Sequence, residues 1–113
     1  MKEKFQVQLS EEVRAFLRLL DDKDRNKILY NIRKAQLVND NELFKKLTDE
    51  IWEFRTLFNR THYRIFAFWD KSGPVSTLVL TTHGIIKKTG KTPQADLDKA
   101  ERIRKSYFEQ KTK

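Results

Sequence analysis

The spacing of apolar residues changes near the middle of this chain. Between residues 11 and 37 they recur at the three- or four-residue interval of amphipathic helices. Three later segments, 51–58, 62–70 and 75–83, are instead rich in aromatic and β-branched side chains, as strands are. The links between these segments are short enough for antiparallel hairpins. Helices followed by a meander of strands predict an α+β fold.

The first third of the chain predicts one strand and two helices. Residues 5–10 alternate apolar and polar side chains, which is typical of a half-buried strand. Ser10 is then a suitable N-cap for a helix that carries an apolar stripe. A second helix is expected to start at Asp22 or Asp24 and to continue to about Leu37.

The whole chain, residues 1–113, is predicted to be one domain with the order β-α-α-β-β-β-α. Residues 42–47 are expected to form a helical turn, and residues 95–111 a closing helix. The N-terminal strand is expected to extend the meander to a four-stranded antiparallel sheet. We expect the helices to pack on one face of this sheet, which leaves the opposite face for function.

Side-chain alternation along the first strand of the meander separates two groups of residues. Trp52 and Phe54 should face the helices, whereas Glu53 and Arg55 should face away. Arg64, on the next strand, is expected to join the charged pair. The open sheet face is therefore predicted to carry a charged site.

Positive charge is concentrated in the second half of the chain. Residues 1–50 contain 11 Lys and Arg against 10 Asp and Glu, whereas residues 51–113 contain 13 against 6. A basic half indicates a polyanionic partner such as nucleic acid, an acidic protein or an anionic membrane, with solubility charge as the alternative. No secretory signal or transmembrane stretch is visible, so a cytoplasmic protein is expected.

Several kinds of chemistry find no support in the sequence. The chain has no cysteine, which excludes disulfides, cysteine-ligated zinc and a cysteine nucleophile. With only His62 and His83, neither a dedicated metal site nor a cofactor is expected. The triplet GKT at 90–92 lacks the upstream glycine of a phosphate-binding loop.

Four segments together resemble a known toxin family. They are IWEFR (51–55), YRIF (63–66), HGIIKKTGKTP (83–93) and a helix that begins near ADLDKA (95–100). Over about residues 40–107 the chain resembles the phage-derived HigB-like toxins of the RelE/ParE superfamily, which belong to type II toxin–antitoxin systems. The run KKTGKTP downstream of HG is the most specific part of the likeness.

The resemblance implies an endoribonuclease, or mRNA interferase, that binds the ribosomal A site and cuts mRNA there. It also implies a cognate HigA-like antitoxin with a helix-turn-helix domain, which neutralises the toxin and brings the complex to operator DNA. No membrane partner is expected. Two alternatives stay open: a ParE-type toxin that acts on DNA gyrase, and a catalytically silent RNA-binding module.

RNA can be cut without metal when its 2′-hydroxyl attacks the adjacent phosphorus, given a base, an acid and cations for the phosphate. Arg55 and Arg64 are candidate phosphate ligands because a guanidinium binds two oxygens; the alternative is an ion pair with Glu53. His83 is a candidate proton shuttle or a structural histidine, and Glu53 is an alternative base.

The lysines near the C-terminal helix are the remaining candidates. Lys87, Lys88 and Lys91 are expected to lie in one exposed loop after His83. Lys87 is grouped with the catalytic residues, and Lys88 and Lys91 are expected to bind the RNA backbone. The alternative is a solvated basic loop, in which a lysine would have no reason to lose its proton. Tyr107 is either a platform for RNA bases or a core side chain of the closing helix.

Overall fold

The computed structural model describes residues 2–74, 77–87 and 91–112 of the chain. Its elements, in chain order, are β1 (Gln6–Gln8), α1 (Glu11–Arg18), α2 (Asp22–Leu37), β2 (Phe44–Lys46), β3 (Trp52–Phe58), β4 (Thr61–Asp70), β5 (Leu78–Lys87) and α3 (Gln94–Lys111). Within these ranges no helix is both long enough and apolar enough to cross a membrane.

The strands form one five-stranded sheet in the order β1-β5-β4-β3-β2. Strands β2 to β5 pair antiparallel, whereas β1 pairs parallel with β5 at the far edge. The mixed α+β fold and the central meander are therefore confirmed. The sheet has one strand more than predicted, and its N-terminal strand runs parallel to its neighbour.

The added strand is β2, in the segment that we expected to form a helical turn. Phe44 of β2 lies opposite Phe54 of β3, and the two rings stack with centroids 4.3 Å apart. Phe44 is 8% exposed, while Lys45 and Lys46 point to solvent at the sheet edge. Burial of one aromatic ring by strand pairing thus outweighs the local preference of these residues.

The helices cover both faces of the sheet, so the prediction that they share one face is wrong. Helices α1 and α2 pack on the face that carries Phe54 and Ile65. Helix α3 packs on the opposite face, where Ala100 joins Phe66 and Phe68. The reason lies in β4, which has apolar side chains at both alternating sets of positions and needs cover on both sides.

Two local features fix α1 against β5. Ser10 is the predicted N-cap: its Oγ accepts a hydrogen bond from the Val13 amide at 3.1 Å and donates one to the Thr82 carbonyl at 3.0 Å. Glycine at position 84 allows close approach, because a Cβ there would lie 2.6 Å from Cδ2 of Phe16. Helix α1 therefore rests directly on the middle of β5.

Two features of the meander position the candidate site. The β3–β4 hairpin turns at Asn59 and Arg60, whose φ angles of 52° and 63° match a two-residue turn with left-handed central residues. Strand β5 runs to Lys87, beyond the predicted end at His83. Residues 75 and 76, where that strand was expected to begin, lie outside the described residues.

Candidate functional site

Four charged side chains lie together on the sheet face that α3 partly covers. Arg55 of β3 is directly opposite Arg64 of β4, and Glu53 precedes Arg55 by two residues on the same face. Lys87 of β5 pairs with His62, two residues before Arg64 on β4, so Lys87 lies on this face as well. We call Glu53, Arg55, Arg64 and Lys87 the cationic cluster.

Three members of the cationic cluster are buried. The exposed fraction is 2% for Arg64, 3% for Glu53 and 5% for Lys87. Charged side chains are almost never this buried unless they are paired, because removing a charge from water is costly. Arg55 is the member that reaches the surface, with 26% of its side chain exposed.

The ion pairs inside the cluster leave hydrogen-bonding capacity unused. Glu53 Oε1 lies 3.4 Å from Nε of Arg64, and Glu53 Oε2 lies 3.6 Å from Nε of Arg55. Yet Glu53 Oε1 and both guanidinium Nε atoms are buried without a hydrogen-bond partner in the described part of the chain. One buried carboxylate is thus shared between two arginines, with a buried lysine on the same sheet face.

Burial changes the acid–base behaviour of this site. Desolvation lowers the pKa of Lys87, and the nearby charge of Arg64 lowers it further, while Glu53 opposes the shift. Burial also lowers the pKa of the Arg64 guanidinium. Because Lys87 ends β5 and donates to Thr92 Oγ1 at 3.4 Å, the prediction that it lies in an exposed loop is wrong. A lysine in this position has the physical reason to lose its proton that the sequence did not reveal.

His83 lies deeper, between the sheet and the start of α3. Its Nε2 is 3.1 Å from Asp96 Oδ1 and its Nδ1 is 3.0 Å from Thr82 Oγ1, while its ring stacks on Phe66 with centroids 4.7 Å apart. Burial lowers the pKa of His83, and the bond to Asp96 opposes the change. With both ring nitrogens engaged, His83 connects β5 to α3.

A family model matches residues 15–105, a span that includes every strand of the meander and the whole cationic cluster. Its description is phage derived protein Gp49-like (DUF891). The chain belongs to this family. No curated protein matched the sequence.

Tyr107 lies at the other end of the sheet in this Gp49-like protein. Its hydroxyl donates to Asp70 Oδ2 at 2.6 Å, and its ring packs on Phe68 with centroids 5.4 Å apart. Asp70 and Arg64 are six residues apart on β4, which corresponds to about 20 Å. The structure therefore separates Tyr107 from the cationic cluster and gives it a packing role.

The structure describes only one of the two remaining loop lysines. Lys88 lies outside the described residues. Lys91 is exposed, directly before the Thr92 hydroxyl that accepts from Lys87. Lys91 is therefore placed at the rim of the site.

Sequence reasoning missed two residues at this site. Lys45 of β2 lies opposite Glu53, and its charge contributes to the lowered pKa of Lys87. His62 of β4 pairs with Lys87 and lies two residues before Arg64, hence on the same face. Alternation along β4 could have placed His62 on the face of Arg64. The position of Lys45 could not be predicted, because it depends on β2, which was expected to be a helical turn.

The Gp49-like site is suited to a phosphodiester. Guanidinium groups bind phosphate oxygens in pairs, and low local polarity strengthens each contact. The described residues contain no group of three or more His, Asp or Glu side chains placed to hold a metal ion. The groups that the site does offer are cations, one carboxylate and a lysine with a lowered pKa.

Proposed function

We propose that this protein is the toxin of a type II toxin–antitoxin pair and that it cleaves mRNA at the ribosome. The observation that carries the proposal is the cationic cluster. In it, buried cations outnumber their carboxylate, and two guanidinium nitrogens have no hydrogen bond to any described residue. The Gp49-like family is associated with toxin–antitoxin systems. The resemblance to HigB-like toxins of the RelE/ParE superfamily supports the same reading.

In the proposed reaction the 2′-oxygen attacks the adjacent phosphorus and the 5′-oxygen leaves, which produces a 2′,3′-cyclic phosphate and a 5′-hydroxyl. Arg55 and Arg64 bind the non-bridging oxygens, where negative charge grows in the transition state. Glu53, which lies within 3.6 Å of both arginines, accepts the 2′ proton. Lys87 donates a proton to the leaving oxygen, a step that its lowered pKa favours.

The remaining candidates support this chemistry from outside it. His83 holds the start of α3 beside the end of β5 through Asp96. Lys91, with Lys88, adds positive charge for the RNA backbone. Tyr107 stabilises α3 at the far end of the sheet.

The proposed partners follow from the same function. The substrate is mRNA in the ribosomal A site, and the cytoplasm is where the two meet. A HigA-like helix-turn-helix antitoxin would neutralise the toxin and bring it to operator DNA. Covering the cationic cluster, for example with acidic side chains, would be sufficient for neutralisation.

Brief induction in growing bacteria followed by primer extension on mRNA tests the proposal. We expect growth arrest and new 5′ ends within translated mRNA, and loss of both in Arg64→Ala and Lys87→Ala. Arg33→Ala is the matched control, because Arg33 is an exposed arginine on α2 that pairs with Glu3. It should cleave like the wild type.

Three outcomes would contradict the proposal. Undiminished cleavage in both cluster variants would mean that the site is elsewhere. Arrest with intact mRNA and gyrase-linked DNA breaks would indicate a ParE-type toxin. Salt-sensitive RNA binding without arrest would indicate a silent RNA-binding module.

A further inference from the structure

A second row of side chains lies beside the cationic cluster. The register of β3, β4 and β5 places Leu57, His62 and Lys87 opposite one another across the sheet. This row is one same-face step from Arg55 and Arg64, a distance of about 7 Å along the strands. Lys87 thus belongs to the cluster and also ends the second row.

Within the described residues, the two remaining members of this row have surface left for a ligand. Leu57 is 61% exposed, so its apolar side chain is open to contact with a ligand. His62 is half-buried and makes no hydrogen bond, ion pair or ring contact in residues 2–74, 77–87 and 91–112. His83, by contrast, uses both ring nitrogens and one ring face.

The hairpin holds this pair in position. Leu57 and His62 are directly opposite each other, near the turn at Asn59 and Arg60. Two-residue turns of this kind match the twist of the strands that they join, so the geometry is preformed. A ligand that binds here does not have to order a loop first.

We propose that Leu57 and His62 form a seat for an RNA base, next to the phosphate that the cationic cluster holds. The inference rests on the proposed function and extends it to a base-binding subsite. A base attached to the bound phosphate lies within one same-face step of it, which matches the spacing of the two rows. Stacking on an imidazole ring and contact with a leucine side chain bind the flat face of a base.

This seat adds affinity with little sequence preference, because every base presents a π-face. It also gives a role to an exposed leucine and to a histidine without a partner in the described part of the chain, both beside buried cations. The cations bind the phosphate, and the seat distinguishes a nucleic acid from a simple anion.

The test compares two fluorescent probes of equal length by anisotropy. One is a single-stranded 2′-O-methyl RNA, which cannot be cleaved by 2′-hydroxyl attack, and the other is the same backbone without bases. We expect His62→Ala to weaken binding of the RNA about 5- to 30-fold and to leave the abasic probe unchanged. His62→Phe, which keeps a ring for stacking, should restore RNA binding.

Matched variants complete the design. Leu57→Ala should weaken RNA binding in the same direction, whereas Tyr30→Ala, which removes a 59% exposed ring from α2, should not. Unchanged RNA affinity in His62→Ala, or equal weakening for both probes, would overturn the seat while leaving the proposed function intact. Failure of Arg64→Ala to weaken either probe would count against the proposed function itself, and with it the seat.

Discussion

Strand β4 carries two buried charged residues on the same face, Asp70 at its C-terminal end and Arg64 nearer its start. The groups around them differ in how fully their polar atoms are hydrogen-bonded. At its C-terminal end Asp70 is 1% exposed and accepts from Tyr107, Lys111 and Ser72 at 2.5 to 2.9 Å. We call these four residues the Asp70 network. Near the other end of the strand, Arg64 belongs to a cluster in which Glu53 Oε1 and the Nε atoms of Arg55 and Arg64 have no hydrogen bond within the described residues.

The difference supports a structural role for the first group and agrees with the functional role that we propose for the second. A buried carboxylate surrounded by donors stabilises the fold, and here it fastens the end of α3 to the sheet. Buried cations that share one carboxylate leave unused donors inside the protein, which an external anion can satisfy. Native proteins keep such incomplete groups mainly at functional sites. The cationic cluster has this character, and the Asp70 network does not.

The largest effect should come from Arg64→Met, which removes the charge but keeps a long unbranched side chain. Glu53 retains Arg55, 3.6 Å away, and the repulsion between Arg64 and Lys87 disappears. We therefore expect mRNA cleavage to fall at least about 100-fold, the loss typical of one transition-state donor. The free energy of unfolding should change by less than about 1 kcal/mol, because loss of the Glu53 pair is offset.

Cleavage of ribosome-bound mRNA and urea unfolding measure the two quantities on the same preparation. A loss of stability of more than about 2 kcal/mol would place Arg64 in the same class as Asp70. Unchanged cleavage would remove it from the catalytic group. Either result would break the distinction between the two ends of β4.

The opposite pattern is expected for Asp70→Asn. An amide has one acceptor oxygen and cannot serve the donors of Tyr107, Lys111 and Ser72 together. We expect the free energy of unfolding to fall by about 2 kcal/mol, with little change in RNA cleavage by the folded protein. Asp98→Asn, on the exposed side of α3, is the matched control and should change stability by less than about 0.5 kcal/mol.

The pH dependence of this effect has a definite sign. Burial alone would raise the pKa of Asp70, but hydrogen bonds from Lys111, Ser72 and Tyr107 outweigh it and hold this pKa far below its usual value. A carboxylate with a depressed folded pKa stabilises the protein above its unfolded pKa of about 3.9, and this contribution is lost as the pH falls further. Urea unfolding at pH 7 and pH 3 should therefore show the wild type and Asp70→Asn converging at the lower pH.

Much of the fold could be predicted because its signals are local. The apolar stripe after Ser10 and the aromatic runs of β3 and β4 follow from the spacing of neighbouring residues. Strand β2 could not be predicted in this way, since Phe44 is held by an aromatic ring on another strand. The two-sided burial of β4 was visible in the sequence, because Phe66 and Phe68 alternate with other apolar residues.

The site was predicted in part. Alternation along the meander correctly placed Glu53, Arg55 and Arg64 together, although their roles remain predictions. The burial of Lys87 was missed because β5 continues past the predicted end at His83, through Ile85 and Ile86, to Lys87. Local spacing also could not reveal that His83 would meet Asp96 across the loop to α3.

The smallest effect is expected on the pH dependence of stability and concerns His83. Like Asp70, His83 is a buried group whose polar atoms have hydrogen-bond partners. Burial lowers its pKa, assisted by Lys99 and opposed by Asp96 and Glu12. Because the unfolded value is about 6.5, the unfolded chain binds more protons between the two pKa values, and stability falls as the pH drops through this window. His83→Gln should lose this part of the pH dependence, whose slope has an upper limit of about 1.4 kcal/mol per pH unit for one proton.

Urea unfolding of the wild type and His83→Gln at pH 5, 6 and 7 measures this slope. Cleavage by folded His83→Gln should stay within about tenfold of the wild type, because Gln can still bond to Asp96. A larger loss of cleavage together with an unchanged slope would move His83 from the structural group to the catalytic one.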